Sequence, residues 1–554
     1  MNETAEPGWV QPQGNTRCAC TSSDWLFLVG IMILGLIPRI WCLTHTEVAA
    51  RDSIGFIRSA LEMESPPVDY RDTSRHFTRA EVLQYTLQPP GYPAWLLLIS
   101  QPVRSYLGTT PDSMVLSAQL ATILASLLLV IPMYFLGKRV FGQFVALFGT
   151  ALFQVLPVIV QLTSDGLSES LFLLFAITAV WNCVLALETQ KIPFFAGAGA
   201  SIGLSYLVRP EGLIIGVALL IAVVVVSFKG ETPFKKWVIR SVCVALSFAV
   251  VAGPYVATIG GLTNKTTGKG LIHYIQGQEV DPTWQNRPDE IGQRSQNPTQ
   301  LFAVFSAELN GSTTARAFWA LKGIGIEVSK VGFYLPFTLA VLGFIIALFT
   351  PNKSEGSRFL LLLILCHFGL LFLLAFKIGY ISERHTVLSV CIGSFFAVYA
   401  IKSLADYFCE YPKEFGKAAL LPALILCLSC YVMDFRVLHA NRAGHKAAGQ
   451  WLAQKIQPNE VIWDPFNWAE FYAGRSLYGE PDRNPERGPV YTVIEPQHAT
   501  PHSRLPMLVT AVEIMRQGEP VFHWPENKPI EQAKVAVYRA EHFKPVTPPA
   551  NPPQ

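Results

Sequence analysis

Between residues 25 and 434 the chain alternates long apolar runs with short polar breaks. Eleven runs stand out, at roughly 25–43, 114–136, 143–162, 170–187, 192–208, 212–228, 241–260, 331–350, 359–377, 386–402 and 418–434. A helix crossing a bilayer needs ~20 mostly apolar residues, so the pattern predicts membrane-spanning helices. Kinks, local thinning or extension into flanking polar residues accommodate the shorter ones. A further stretch, GYPAWLLLISQPVRSYL (91–107), is interrupted by Pro102 and Arg104 and predicts a re-entrant or interfacial helix.

After residue 435 the pattern changes. AGHKAAGQWLAQKI (443–456) has helical spacing and leads to a short strand, EVIWDP. Apolar runs follow at VYTVIE (490–495) and AKVAVYRA (533–540), with a helix-like stretch at 505–517. The reading is an all-α polytopic membrane protein of about eleven transmembrane helices with a small C-terminal α/β soluble domain. Its parts are a tail (1–24), a membrane body (25–434) with large loops at 44–113 and 261–330, a soluble domain (435–540) and a disordered Pro-rich tail (541–554). No internal repeat is visible.

Composition agrees, since 51% hydrophobic against 15% charged residues is too apolar for a soluble enzyme of this length. No basic block with interleaved aromatics suggests nucleic acid. Eight of the ten cysteines lie in or beside apolar runs, where free Cys behaves as a small hydrophobe. Cys18 and Cys20 have no second pair nearby for a zinc site, and the histidines show no metal-type spacing. No cofactor or metal is expected. The polar first 24 residues, with Arg17 as their one base, do not read as a signal peptide.

Charge sets the sidedness. Alternate short loops carry Lys138 and Arg139, Lys191, Lys229 with Lys235, Lys236 and Arg240, Lys353 and Arg358, and Lys402 with Lys413 and Lys417. The intervening loops carry almost no base, so the positive-inside rule places the first set in the cytoplasm. This holds if 91–107 does not cross. The N-terminus is then cytoplasmic, the C-terminal domain extracytoplasmic, and both large loops outside. Arg39, near the outer end of the first span, is expected to snorkel.

Four ionisable groups then share the outer side. Asp52 opens an amphipathic segment whose Ile54, Ile57 and Leu61 predict a helix on the membrane surface. It is either a first-turn acid complementing the helix dipole or a general base. In the same loop, QPPGYP (88–93) fixes a rigid approach to the next segment, either as a plain turn or, with Gln88, as part of a site. TSDGLSE (163–169) places Asp165 and Glu169 four apart, on one face if a helix starts by Asp165. Glu169 abuts the apolar run, where a carboxylate is costly without a purpose. Arg209 and Glu211 form a tight hairpin and Glu383-Arg384-His385 a late loop. Each is either a local salt bridge or a phosphate ligand, because guanidinium matches phosphate oxygens bidentately.

In order and sidedness these motifs resemble the GT-C-fold membrane glycosyltransferases that use polyprenyl-phosphate sugars. Such enzymes include the dolichyl-phosphate-mannose protein mannosyltransferases and the lipid A aminoarabinose transferases. The resemblance rests on Asp52, QPPGYP, LSESLFLLF, GLSYLVRPEGL and SERHTVLSV, and covers most of 25–435. It implies that Asp52 and Glu169 are the catalytic acids and that Arg209 and Arg384 bind the donor phosphate. Gln88, Asp165, Glu211 and His385 have supporting places. Relatives commonly pair two acids where Asp52 is followed by Ser53, and often carry Lys or His where Gln88 stands. The expected activity is inverting transfer of a sugar from a polyprenyl-phosphate donor to an acceptor hydroxyl on a protein, lipid or polysaccharide. Membrane lipids are the other expected partners, and the bacterial inner membrane or an equivalent is the expected location. The alternative is a polytopic transporter or a lipid-linked-sugar flippase using the same charges as a path.

Overall fold

The computed structural model describes residues 21–68, 74–227, 233–265, 303–304, 312–351, 353–408, 412–478, 485, 488–498 and 507–544. Most of the two tails, most of the second large loop, and Cys18, Cys20 and Cys409 lie outside the described residues. In chain order the helices are α1 Ser22–Thr44, α2 Arg51–Glu64, α3 Arg79–Tyr85, α4 Gly91–Leu107, α5 Pro111–Phe141, α6 Gln143–Gln154, α7 Pro157–Leu162, α8 Glu169–Thr189, α9 Ile192–Val208 and α10 Leu213–Ser227. They continue with α11 Phe234–Ile259, α12 Thr313–Val331, α13 Leu335–Phe349, α14 Glu355–Leu373, α15 Glu383–Phe408, α16 Pro412–Tyr431, α17 Ala443–Lys455, α18 Trp468–Tyr472 and α19 Met507–Gln517.

Each of the eleven apolar runs is helical, and the chain is a multi-pass integral membrane protein. Among the described residues seven helices are long and apolar enough to cross a bilayer, or eight if α12 and α13 form one span bent by 114°. The run 143–162 is two helices. Pro157 disfavours helical backbone at the residue before it, and Leu156 is extended with ψ 124°.

That break explains a departure from expectation. Arg39 does not snorkel; it is fully buried. Its Nη1 donates to the Gln154 carbonyl, 3.1 Å away at the open end of α6, and to the Gly35 carbonyl at 2.6 Å. Its Nε donates to Thr163 Oγ1 at 3.0 Å. A broken helix leaves carbonyls without intrahelical donors, and a buried guanidinium supplies them.

The amphipathic α2 also departs from expectation. Ile54, Ile57 and Leu61 are buried inside the protein, against α4 and α5, and Phe56 meets Tyr92 edge-on at 4.8 Å. Its apolar face is covered by protein rather than by lipid, because α4 lies alongside it. Gly91, the first residue of α4, lets that helix touch the end of α9. A Cβ there would stand 2.7 Å from the Leu207 carbonyl oxygen. Gly91→Ala should therefore destabilise the protein by about 1–3 kcal/mol through overpacking. An unchanged thermal midpoint in detergent would contradict this.

Beyond α16 the chain builds a sheet in the order β3-β4-β6-β5, with β3 Val461–Trp463, β4 Val490–Ile494, β5 Glu519–Trp524 and β6 Val535–Ala540. β3 and β4 are parallel; the other pairings are antiparallel. A two-residue pairing of β1 Ala303–Val304 with β2 Tyr380–Ile381 lies in the membrane body. β5 was not foreseen, since Pro520 argues against a central strand. It sits at an edge with an irregular register at Pro520, where proline is tolerated.

The sheet domain seats directly on the first large loop. Trp468 Nε1 donates to the Ala49 carbonyl at 2.8 Å, and the Ala49 N–H donates to Tyr472 Oη at 3.0 Å. Lys446 pairs with Asp112 at 2.8 Å.

Candidate active site

Five loops and helix ends converge at the face where α2 begins. Asp52 lies in the first turn of α2, where its charge suits the helix dipole. Glu169 is the first residue of α8, with Ser168 as N-cap. Arg209 caps the C-terminus of α9, and Arg384 lies in the first turn of α15.

These four form one chain of contacts. Arg209 Nη1 meets Glu169 Oε1 at 2.5 Å, and Arg384 Nε meets the same oxygen. Arg384 Nη1 reaches on to Asp52 Oδ2. Arg209 Nη2 also holds Glu211 Oε1 at 3.1 Å. Exposure divides the two acids. The Glu169 side chain is wholly enclosed, whereas Asp52 keeps 48% of its side chain open. An incoming molecule therefore meets Asp52 and not Glu169. Glu169 Oε2 and Glu211 Oε2 are buried without hydrogen-bond partners, which leaves acceptor capacity inside the site.

Electrostatics follow the geometry. Crowding by protein would raise the pKa of Asp52, but the Arg384 guanidinium outweighs it and holds the carboxyl below its usual range. Burial likewise disfavours charge on Arg209, and Glu211 and Glu169 overcome it, so its pKa lies above normal.

Lys265 is a site residue that sequence reasoning missed. Burial pushes its ammonium pKa down, while Glu211 and Asp52 pull upward and Arg209 and Arg384 act with burial. It lies inside a glycosylation sequon, Asn264-Lys265-Thr266. That Asn is no accessible acceptor, because its Nδ2 donates to the Leu83 and Gln84 carbonyls at 3.1 and 3.0 Å, at the end of α3. This anchoring brings Lys265 to the site, and nothing local in the sequence signals it.

The supporting residues divide. Asp165 does not share a helical face with Glu169, because α8 starts only at Glu169. Asp165 lies in the preceding turn, where Gly166 takes φ +61°. Its Oδ1 accepts from the Ala50 N–H at 3.1 Å and its Oδ2 contacts His439 Nε2 at 2.7 Å. Asp165 thus steadies the backbone leading into α2. Burial would lower the His439 pKa, but Asp165 raises it above normal. His385 Nδ1 contacts Ser382 Oγ at 2.9 Å, within electrostatic reach of Arg384 and Glu211. Gln88 is half-buried ahead of α4 and is no member of the ion-pair chain. His367, deep between helices, shares a 2.6 Å hydrogen bond with Ser389. Among the described residues no group of three or more His, Cys, Asp or Glu side chains is placed to hold a metal ion.

The helical body that carries this chain of ion pairs has the GT-C fold. Residues 92–256 match the family model described as dolichyl-phosphate-mannose-protein mannosyltransferase. Among solved structures, the chain is similar to ArnT from Cupriavidus metallidurans bound to undecaprenyl phosphate. The two are 12% identical with a TM-score of 0.57, over 94% of this chain and 98% of that one. It is also similar to the archaeal oligosaccharyltransferase AglB from Archaeoglobus fulgidus, in complex with an inhibitory peptide and a dolichol-phosphate. That pair is 13% identical with a TM-score of 0.56, over 91% of this chain and 74% of that one. At such identity the likeness is one of fold. The sequence matches no curated protein.

Proposed function

We propose that the protein transfers a sugar from a polyprenyl-phosphate donor to an acceptor hydroxyl, with inversion, at the face where Asp52 lies. The observation that carries this reading is the chain Arg209–Glu169–Arg384–Asp52, in which two fixed cations stand beside one reachable base. The family-model match and the lipid phosphates named with the two similar structures support the donor class. The basic loops on the opposite side support an outer, extracytoplasmic face for the site.

In the proposed reaction the acceptor oxygen attacks the anomeric carbon while the bond from that carbon to the phosphate oxygen breaks. The electron pair leaves with polyprenyl phosphate, and the acceptor proton passes to Asp52. Charge-assisted hydrogen bonds from Arg209 and Arg384 stabilise the departing phosphate. Glu169 holds both guanidiniums and meets neither substrate. Arg384 is engaged by Asp52, which weakens that carboxylate as a base. Recruitment of Arg384 to the donor phosphate would free Asp52, so donor binding prepares the base.

A pH profile tests this arrangement. With Arg384 removed, the strongest influence opposing burial at Asp52 is lost, only Lys265 and Arg51 still act against it, and the pKa rises. Because the base must be deprotonated, the acid limb of kcat/KM in Arg384→Gln should move to higher pH, together with a rise in donor KM. A limb that stays in place would detach Arg384 from Asp52's ionisation. Transfer itself is tested with radiolabelled donor, since it releases free polyprenyl phosphate. Movement of intact donor across vesicles without that release would favour a flippase.

A further inference from the structure

The proposed reaction leaves unused an apolar groove between α9, α10 and α11. Its volume is about 340 Å³, and Phe195, Leu213, Gly216, Leu220, Ser241 and Val244 are among its lining residues. Leu213 lies at the end near Arg209 and Glu211. Phe195 and Ser241 lie at the remote end. Thr258, near the other terminus of α11, accepts from Gln84 of α3 at 3.0 Å. Arg240 is thus ~27 Å along α11 from the site's face, at 1.5 Å per residue.

Two side chains lie beside the remote end, packed on Phe195 of the groove wall. Positions 237, 241, 244 and 248 repeat at three to four residues and form one helix stripe, so Trp237 continues the wall built by Ser241, Val244 and Phe248. The Arg240 guanidinium lies 4.7 Å over the Trp237 ring and 5.6 Å over Phe195. Both are enclosed, with Trp237 1% and Arg240 8% exposed. Yet Arg240 Nη1 and Trp237 Nε1 have no hydrogen-bond partner, and among the described residues no carboxylate faces the guanidinium.

An unpaired guanidinium within a span is expensive, and ring contacts offset only part of that cost. Arg39 shows how the same protein holds a buried Arg, with three hydrogen bonds to two carbonyls and a hydroxyl although its Nη2 is also without a partner; Arg240 has no such hydrogen bond among the described residues. Two buried donors without acceptors, above an apolar groove, fit an anion that carries a hydrocarbon chain. Exposed Lys235 and Lys236 on α11, and Lys191 before α9, add positive charge at this end.

We propose that Arg240 and Trp237 bind the phosphate of an anionic glycerophospholipid whose acyl chain fills the α9–α10–α11 groove, in the leaflet remote from Asp52. None of the residues assigned to glycosyl transfer takes part, so the site stands or falls without that reading.

The test uses the full chain in nanodiscs of mixed phosphatidylcholine and phosphatidylglycerol, extracted gently and weighed by native mass spectrometry. Wild type should retain phosphatidylglycerol in preference to phosphatidylcholine. Arg240→Gln should lower that retention by about tenfold, the loss of one charge-assisted contact. Trp237→Phe keeps the ring, removes the donor and should lower retention several-fold, which preserves the test if Arg240→Gln fails to fold. Equal retention of the two lipids by wild type would overturn the proposal, as would undiminished retention in Trp237→Phe. So would loss of the bound lipid in Arg209→Gln but not in Arg240→Gln, which would place the headgroup at the opposite end.

Discussion

Asp52→Asn should reduce sugar transfer by about 10³-fold while leaving expression and donor binding intact. A positioned general base contributes ~10²–10⁴-fold, and Asp52 is the one acid of the ion-pair chain that is open to an acceptor. Asn preserves the shape and can still face Arg384, so the helix start of α2 should survive. Only the capacity to take a proton disappears. The measurement is release of polyprenyl phosphate from a defined donor by purified protein, with donor affinity followed separately. Near-normal transfer by well-folded Asp52→Asn would remove this residue from the base role. It would also move attention to whatever else can reach the open side of the site.

Glu169→Ala should be the most destabilising change in the site. The carboxylate is fully enclosed and holds two guanidiniums. Removing one partner of such a buried set leaves uncompensated charge, at a cost of about 3–5 kcal/mol. Arg209 would still have Glu211 and Arg384 would still have Asp52, which places the expectation toward the lower end of that range. Glu169→Gln should lose less stability but most of the activity, because the guanidiniums lose the charge that fixes their spacing. Thermal unfolding in detergent separates the two variants. Equal midpoints for wild type and Glu169→Ala would show that Glu169 is not what holds the guanidiniums together.

What was legible in the sequence was whatever rests on local pattern. The apolar runs show themselves because a spanning helix must satisfy its own backbone and cover itself in hydrocarbon-compatible side chains. The four principal site residues were visible because the loops between the Lys- and Arg-rich ones carry few charges, so each charge there stands out. What escaped depends on tertiary partners. α12 lay unread inside a loop, although its buried Trp319, Ala320, Gly323, Ile324, Val328 and Val331 follow helical spacing. Its charges and glycines keep it below the hydropathy of a span. Lys265 depends on Asn264 binding the end of α3, some 180 residues earlier in the chain, and no periodicity records such a contact. Arg39 was misjudged because a break in α6–α7 supplied acceptors within the bundle.

The departure at Ser53 now has a physical reading. The resemblance drawn from the sequence implies a second acid after the first, and this chain has a hydroxyl. Ser53 Oγ donates to the Asp165 and Gly166 carbonyls at 2.8 and 3.0 Å. An ionised carboxylate accepts hydrogen bonds and donates none, so it could not make these contacts. The turn before α8 and the start of α2 are fastened here by a donor, and Asp52 is the most open acid among the described ion pairs of the site.

The grip of Trp468 and Tyr472 on Ala49 ties two solvents together. One hydrogen-bonded residue, three positions before the exposed acid, answers both to a water-borne sheet and to a bundle immersed in oil. A change of packing beneath that sheet, distant from every lipid, is therefore felt at position 52.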